Sequence, residues 1–175
     1  MDKTEILKEK LADAEVVLIG IGEEFNEKFD RIAEHEQLVK GLELVDAKEE
    51  LAWMVPYFEK IYLQEQNQSD ILSAYRNLYE LVKDKNYYIV TTCIDGLIQK
   101  AGFKPEKIVE PCGNYEKMQC SAKCSTKLYE SEEYANKIKE ALQDGTLEQV
   151  EQPVCPDCGA PLAFNNIVCE NYVEE

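Results

Sequence analysis

The chain has 175 residues, 45% of them hydrophobic, which is enough for one compact domain with an inserted module. Its 35 acidic and 19 basic residues give a formal net charge of −16, which disfavours direct binding to nucleic acid or to an anionic membrane. The acidity has two explanations, solubility or the electrostatic attraction of a basic, Lys-containing peptide, and composition leaves both open.

The N-terminal sequence predicts an amphipathic helix, not the apolar core of a signal peptide. No apolar run approaches the ~20 residues that a membrane span requires. Four of the seven cysteines lie in two close pairs, which favours metal binding over disulfides when a secretion signal is lacking. We therefore expect a reduced, cytoplasmic protein, and the sequence does not indicate its oligomeric state.

The first predicted elements are a helix and a strand. Asp2 and Glu5 have the spacing of a capping box at the start of the helix. The strand, "EVVLIG", is a continuous apolar run, which predicts a strand covered on both faces, as in a parallel sheet. It ends in Gly20-Ile21-Gly22.

Residues 26–68 have a helical pattern that Pro56 should kink or break, and Ser69 or Asp70 can cap the next helix. A second strand, "YYIVTT", then a short helix from Asp95 to Ala101 and a third strand in "KIVEP" follow. This order predicts an α/β domain with a parallel sheet. About seventy residues join the first two strands, against roughly 30 for a simple crossover unit, which indicates a helical insertion.

Three loops follow strands that should be parallel, at Gly20–Gly22, Thr92–Asp95 and Pro111–Asn114. Because ligands of open parallel sheets bind beyond the carboxyl ends of the strands, we expect these loops to meet at one crevice. The glycine turn either lets the backbone approach a pyrophosphate or is a plain left-handed turn, and the two glutamates after it disfavour phosphate. The aspartate that ends the second loop is either a site residue or only a helix N-cap.

A segment of different character runs from Met118 to Phe164. It contains the pairs Cys120-x3-Cys124 and Cys155-Pro156-Asp157-Cys158, with a predicted helix between them. Two hairpin-spaced pairs can supply the four thiolates of a tetrahedral zinc site, and the alternative is four ordinary reduced cysteines. Four thiolates leave no open position for a catalytic water, so such a metal would be structural.

The stretch "IVTTCIDGLIQKAG" resembles the sirtuin signature, in which a strand ends in Thr-Gln-Asn-Ile-Asp-Gly-Leu and continues to Ala-Gly. Here Thr92 and Cys93 replace the Gln and the Asn. Cys112-Gly113 stands where the family has His-Gly, eight residues before the first cysteine of the quartet. "CPDCGAPL" and "VVLIGIGEEF" are similar to further family motifs, and the resemblance covers most of the chain.

The resemblance implies a sirtuin-like, Rossmann-type α/β fold with a helical insertion and a zinc-ribbon module. Its expected parts are a partial nucleotide-binding domain at 1–25 and 70–117, the insertion at 26–69, the zinc-ribbon module at 118–164 and a truncated return segment at 165–175. It also implies zinc and NAD as cofactors. The implied zinc ligands are Cys120, Cys124, Cys155 and Cys158, and the implied NAD-binding residues are Gly20, Gly22, Thr92, Ile94 and Asp95.

The family's activity is NAD-dependent lysine deacylation or, less often, ADP-ribosyl transfer. The resemblance places Cys112 at the position of the general-base His and Cys93 at that of the ribose-binding Asn, so both are carried over as catalytic positions. A thiol accepts a proton only as thiolate, with a pKa near ~8.5, and replacing a general base costs about 10²–10⁴-fold in rate. His35, the single histidine, is expected on the surface. We therefore expect altered or lost activity.

Three hypotheses remain open from the sequence. The first is a deacylase or ADP-ribosyl transferase with an unusual base, and the second is an inactive NAD- or ADP-ribose-binding or protein-interaction module. The third makes Cys93 and Cys112 a redox pair. The family's Phe-Gly-Glu clamp and its later Gly-Thr-Ser turn are not recognised, so the sequence predicts either a fragment of a longer product or a half-built cofactor pocket.

Overall fold

A computed structural model describes residues 2–169 and 172–173, so four residues of the predicted return segment (170, 171, 174 and 175) lie outside the described residues. The helices are α1 Lys3–Asp13, α2 Glu36–Ala47, α3 Val55–Glu65, α4 Asp70–Val82, α5 Leu97–Lys100 and α6 Glu132–Asp144. The strands are β1 Val16–Ile21, β2 Asn86–Thr91, β3 Ile108–Val109, β4 Gly113–Cys120, β5 Leu128–Glu130 and β6 Leu162–Asn166.

A parallel sheet of order β1-β2-β3 forms the centre of the first half of the fold. The register pairs Ile19 with Ile89 and Ile89 with Ile108. Ile21 pairs with Thr91, so the carboxyl ends of β1 and β2 lie at the same level of the sheet. The parallel α/β prediction is confirmed, and the loops after these two strands start side by side.

Within the described part of the chain, only one face of this sheet is covered. Tyr87 and Ile89 point into a core shared with α4 and α5, where Leu72 and Leu97 are fully buried. On the other face Leu18 is 74% exposed, and the remaining exposed apolar side chains there are Val16, Tyr88, Val90 and Val109. Side chains alternate between the two faces of a strand, so an unbroken apolar run does not imply that both faces are covered. The prediction that β1 is covered on both faces is wrong.

The residues between β1 and β2 form the predicted helical region, with α2 and α3 at its centre. Pro56 lies in the first turn of α3, where a missing backbone N–H costs nothing, so it starts this helix and does not kink it. A Cβ added at Gly41 of α2 would lie 2.7 Å from Leu142 and 2.9 Å from Phe58, so a glycine allows α2 to pack closely on its neighbours.

A second sheet, antiparallel and of order β5-β4-β6, packs with α2, α3 and α6 around the larger core. β4 begins at Gly113, which has a φ of 62° and whose added Cβ would lie 2.1 Å from the Asn165 carbonyl oxygen. Glycine is therefore required directly after Cys112. Among the described residues, no helix is both long and apolar enough to cross a membrane.

We predict that the two faces of the parallel sheet differ sharply in their response to truncation. Ile89→Ala should lower the free energy of unfolding by about 2–5 kcal/mol, because Ile89 is fully buried. Leu18→Ala, one strand away, should change it by about 0.5 kcal/mol or less. Urea denaturation followed by circular dichroism measures both. If Leu18→Ala lowers the free energy of unfolding as much as Ile89→Ala does, the conclusion that this face of the sheet is uncovered would be contradicted.

Candidate functional site

The loops after β1 and β2 are joined by hydrogen bonds at the carboxyl end of the parallel sheet. The Thr92 N–H donates to the Ile21 carbonyl oxygen at 3.0 Å, and the Cys93 Sγ lies 3.2 Å from the Gly22 carbonyl oxygen that accepts its proton. Two of the three strand-end loops predicted to share a crevice therefore meet there. We call them together the strand-end loops, residues 20–22 and 92–95.

Cys93 is a buried, hydrogen-bonded thiol. It is 1% exposed, and burial raises the pKa of this thiol above its usual value. Its backbone N–H also donates to the Thr91 Oγ1, at 3.1 Å. A neutral S–H that donates to a backbone carbonyl holds the glycine turn in place, and its raised pKa disfavours the thiolate that nucleophilic or redox chemistry requires.

Asp95 connects two loops that are far apart in sequence. Its Oδ2 accepts the Glu27 N–H at 2.7 Å, and its Oδ1 accepts the Leu97 N–H at 2.9 Å. Burial raises the pKa of this carboxyl, and the two backbone N–H groups oppose the rise. Gly96 adopts a left-handed φ of 67°, so α5 begins at Leu97 and not at Asp95 as predicted. Gly96 is the N-cap of α5, so the prediction of Asp95 as N-cap is wrong; its carboxylate instead joins the start of this helix to the loop after β1.

Asn26 and Glu27 were missed by the sequence reasoning. The Asn26 Oδ1 accepts the Ile94 N–H at 2.8 Å, beside the bond between Glu27 and Asp95. Both contacts span 68 positions of sequence, and no local pattern marks either residue.

The glycine turn is open to a ligand but carries a negative charge. Gly22 has an ordinary φ of −87°, and Gly20 also lies outside the left-handed region, so the alternative of a plain left-handed turn is wrong. A Cβ added at Gly20 would meet nothing within 4 Å. One added at Gly22 would lie 2.8 Å from the Glu24 Oε2, which places an exposed carboxylate over the turn. The backbone thus leaves open space at Gly20, and the Glu24 carboxylate disfavours an anionic group at Gly22.

Cys112 is attached to the second sheet. It is half-buried, and its carbonyl oxygen accepts the Ile167 N–H at 2.9 Å. Two residues later, Asn114 donates from its Nδ2 to the Glu110 Oε2 at 3.0 Å and accepts the Glu116 N–H at 2.7 Å. The Cys112 backbone is therefore held by the segment after β6, whereas Cys93 is held by the glycine turn.

Two lysines beside the crevice already have partners. The Lys60 Nζ is fully buried and lies 3.0 Å from the Glu116 Oε1, in an orientation that suits an ion pair better than a regular hydrogen bond. The Lys100 Nζ donates to the Leu63 and Gln64 carbonyl oxygens at the end of α3, each at 2.8 Å. Both cations are thus engaged within the protein, and neither was predicted from the sequence.

His35 lies in the helical insertion, beside Tyr62 and Glu65. Its Nδ1 is 3.4 Å from the Glu65 Oε2, and its side chain is 31% exposed, so it is half-buried where the sequence predicted a surface position. It borders a cavity of about 360 Å³ whose lining residues all belong to the insertion. The fold provides His35 with an acidic partner there, apart from the strand-end loops.

The cysteine quartet converges as its spacing predicts. The Cys120 and Cys158 sulfurs are 3.5 Å apart, as are those of Cys124 and Cys155, and all four lie within 4.8 Å of one another. A tetrahedral zinc with Zn–S bonds of about 2.3 Å requires S···S separations of about 3.8 Å, so the four thiols fit that metal. Gly159, with a φ of 76°, shapes the second cysteine turn.

Comparison with known proteins places these features in a family context. The Sir2 family model matches residues 15–169. The chain is also similar to a protein ADP-ribosyltransferase of Staphylococcus aureus (strain Mu50 / ATCC 700699), with 25% identity over 181 residues that cover 93% of this chain and 56% of that protein. The chain thus spans little more than half the length of this curated relative.

Solved structures give the same fold. A complex of a mutant Sir2 homologue with ADP-ribose superimposes with a TM-score of 0.59 at 16% identity, covering 99% of this chain and 66% of that one. A Sir2–p53 peptide–NAD⁺ complex gives a TM-score of 0.54 at 20% identity, with 100% and 67% covered. At these identities the likeness shows the sirtuin-like α/β fold alone.

We predict that exchanging one quartet cysteine abolishes zinc binding. Cys124→Ser should lower the zinc content of the purified protein from about one ion per chain to near zero and destabilise the antiparallel sheet, because a structural site needs all four ligands. Metal analysis and thermal unfolding measure both effects. Cys169→Ser, a change at a half-buried cysteine outside the quartet, is the matched control and should alter neither quantity.

We predict that removing the Glu24 charge strengthens binding of ADP-ribose. A carboxylate about 4 Å from a phosphate costs ~1 kcal/mol in a watery environment, so Glu24→Gln should lower the Kd roughly fivefold at low salt. Glu23→Gln removes the charge of a neighbouring side chain that does not lie over Gly22, and it should lower the Kd for ADP-ribose by a smaller factor. Calorimetric titration at two salt concentrations measures the difference, which should shrink at high salt. Equal effects of the two changes would contradict the prediction.

Proposed function

The chain belongs to the Sir2 family, and we propose that it acts as an NAD-dependent protein ADP-ribosyltransferase in which lysine deacylation is lost or altered. The observation that carries the proposal is the cysteine at position 112, where the family's general base should stand, in a fold that otherwise matches. The similarity to a protein ADP-ribosyltransferase supports transfer over deacylation. Because the chain spans only part of that relative, the activity is a proposal for this chain.

The strand-end loops are the proposed cofactor site. The residues proposed to hold NAD are Gly20, Gly22, Thr92, Ile94 and Asp95. Bound NAD supplies the glycosidic bond to nicotinamide, which the transfer reaction breaks. Gly20 has open space where a Cβ would stand, whereas the Glu24 carboxylate lies over Gly22. Asp95 keeps both loops in position through its two backbone hydrogen bonds. We also propose structural zinc on the cysteine quartet, with no part in the reaction.

The two cysteines at family positions have different proposed roles. Cys93 is buried, its pKa is raised, and its proton bonds to Gly22, so it acts as a positioning residue. Cys112 is half-buried and is the candidate proton acceptor. Because a thiol accepts a proton only as thiolate, Cys112 can act as the base only in its deprotonated form. The buried state of Cys93 also speaks against the redox-pair hypothesis.

The second candidate is an inactive module that binds ADP-ribose or a protein. A specific observation favours it, because Asp95 and Cys93, the side chains at the nicotinamide end, are both used to hold the scaffold together. The Glu24 carboxylate over the turn would also weaken NAD binding. In its ADP-ribose-binding version, this candidate predicts the same binding site as the transferase and differs from it only in turnover.

We propose a basic or Lys-containing polypeptide as the target. The net charge of −16 favours association with cations, and two of the similar solved structures are complexes with peptides. None of the seven cysteines forms a disulfide, and we propose a reducing compartment such as the cytoplasm.

We predict that nicotinamide release from NAD depends on Cys112. Cys112→Ala should lower the rate by about 10²–10⁴-fold at pH 8 if the thiolate is the base, whereas Cys169→Ala should leave it unchanged. Nicotinamide release is measured with a lysine-rich peptide present, and calorimetry measures the binding of ADP-ribose to the same preparations.

Each outcome separates the candidates. Turnover that falls with Cys112→Ala supports the transferase. Binding of ADP-ribose without turnover supports the inactive module. Turnover that is unchanged in Cys112→Ala removes the role of the thiol. The absence of both ADP-ribose binding and turnover overturns the transferase and the ADP-ribose-binding version of the inactive module.

A further inference from the structure

A cavity of about 320 Å³ lies between the start of α3 and the antiparallel sheet, and four aromatic side chains line it. Tyr57 and Phe164 have ring centroids 4.7 Å apart, Tyr115 and Phe164 5.2 Å, and Trp53 and Tyr57 5.8 Å. The rings thus form one continuous group, which we call the aromatic cage, residues Trp53, Tyr57, Tyr115 and Phe164. No residue of the strand-end loops lines this cavity.

The charge of the cage comes from Glu59. Its Oε2 accepts the Tyr115 hydroxyl proton at 2.7 Å, which holds the carboxylate at the edge of the rings. Among the described residues that line the cavity, Glu59 is the only one with a charged side chain, so no lining cation neutralises it. Tyr57, Tyr115 and Phe164 belong to the larger core and are 3%, 7% and 6% exposed, whereas Trp53 is half-buried. The cavity therefore presents the Trp53 ring, small areas of the other three rings and one negative charge.

This combination selects a cation over the other classes of ligand. An ammonium group is attracted both to the faces of aromatic rings and to a carboxylate. An anion would be repelled by Glu59, and a neutral apolar group would cover the carboxylate without replacing its hydrogen bonds to water. The volume lies at the small end of the range for ligand pockets, roughly 300–1,000 Å³, which suits one side chain.

We propose that the aromatic cage binds the charged ammonium group of a lysine side chain, free or N-methylated, on a basic partner polypeptide. The net charge of −16 draws such a partner to the protein, and the cage then provides a defined contact. A neutral acyl-lysine lacks the cation and binds the cage more weakly. The proposal needs no NAD turnover, so it can fail or hold independently of the proposed function.

The chain contains a single tryptophan, Trp53, which makes the cage directly observable by fluorescence. We use the tripeptides acetyl-Gly-Lys-Gly-amide and its ε-trimethyl form as probes. The matched neutral peptides carry ε-acetyl-lysine or norleucine at the same position. All titrations use the full chain at constant ionic strength.

The expected result is a saturable change of Trp53 emission with the two cationic peptides and a Kd at least fivefold weaker with the neutral ones. Glu59→Gln should weaken the cationic peptides at least fivefold. Glu43→Gln, the same change of charge at an exposed position of α2 outside the cavity, should not. Circular dichroism confirms that both variants are folded.

Amide chemical shifts of the wild-type chain give a second measurement that does not depend on any variant. The cationic peptides should shift signals of residues 53–59 and 162–169. No saturable binding of either cationic peptide overturns the proposal. The proposal is also overturned by equal affinities for the norleucine and lysine peptides, or by an unchanged affinity for the cationic peptides in folded Glu59→Gln. Amide shifts confined to residues 20–27 and 92–97 overturn it as well.

Discussion

Asp95 accepts the backbone N–H groups of Glu27, at 2.7 Å, and of Leu97, at 2.9 Å, and thereby joins the loop after β1 to the helix after β2. Burying a carboxylate is costly, and bonds from backbone N–H groups to a charged acceptor offset part of that cost. The pKa of Asp95 remains raised because burial outweighs the two bonds. The geometry of the crevice therefore depends on a buried carboxylate, each oxygen of which accepts one backbone N–H group.

The thiol of Cys93 extends the same constraint. It bonds to Gly22 from the other side of the crevice, so the glycine turn is held by a side chain from the loop after β2. An amide at this position could offer both a donor and an acceptor to a ribose, whereas a buried neutral thiol offers one weak donor, already used. Cys112, by contrast, lies in the turn directly before the second sheet and has a half-buried side chain. Of the two thiols, Cys112 is the more exposed.

Local patterns were sufficient to predict the three strands of the parallel sheet and the convergence of the four cysteines, but not the antiparallel sheet of β4, β5 and β6. Apolar runs mark β1 and β2. The spacing within the pairs Cys120–Cys124 and Cys155–Cys158 is a second local signal, because it is set by the geometry of a turn. The contacts of Asn26 and Glu27 could not be predicted, since they join positions 68 apart and involve residue types that are common in loops. The uncovered face of β1 was missed for a related reason. An apolar run shows which side chains a strand has. Whether each face of the strand is buried depends on which helices pack against the sheet.

The two cores are unequally closed, which explains why the crevice needs these bonds. The larger core is enclosed by α2, α3, α6 and the antiparallel sheet, and the cysteine quartet lies at its edge. The parallel sheet has helices on one face, while Leu18 and Val109 on the other are 74% and 58% exposed. Parallel sheets normally gain stability from burial on both faces. Among the described residues, one face of the parallel sheet lacks this burial. The geometry of the strand-end loops therefore rests on hydrogen bonds at Asp95, Asn26 and Cys93. Such bonds are directional, so they fix the positions of the loops even where apolar packing contributes little.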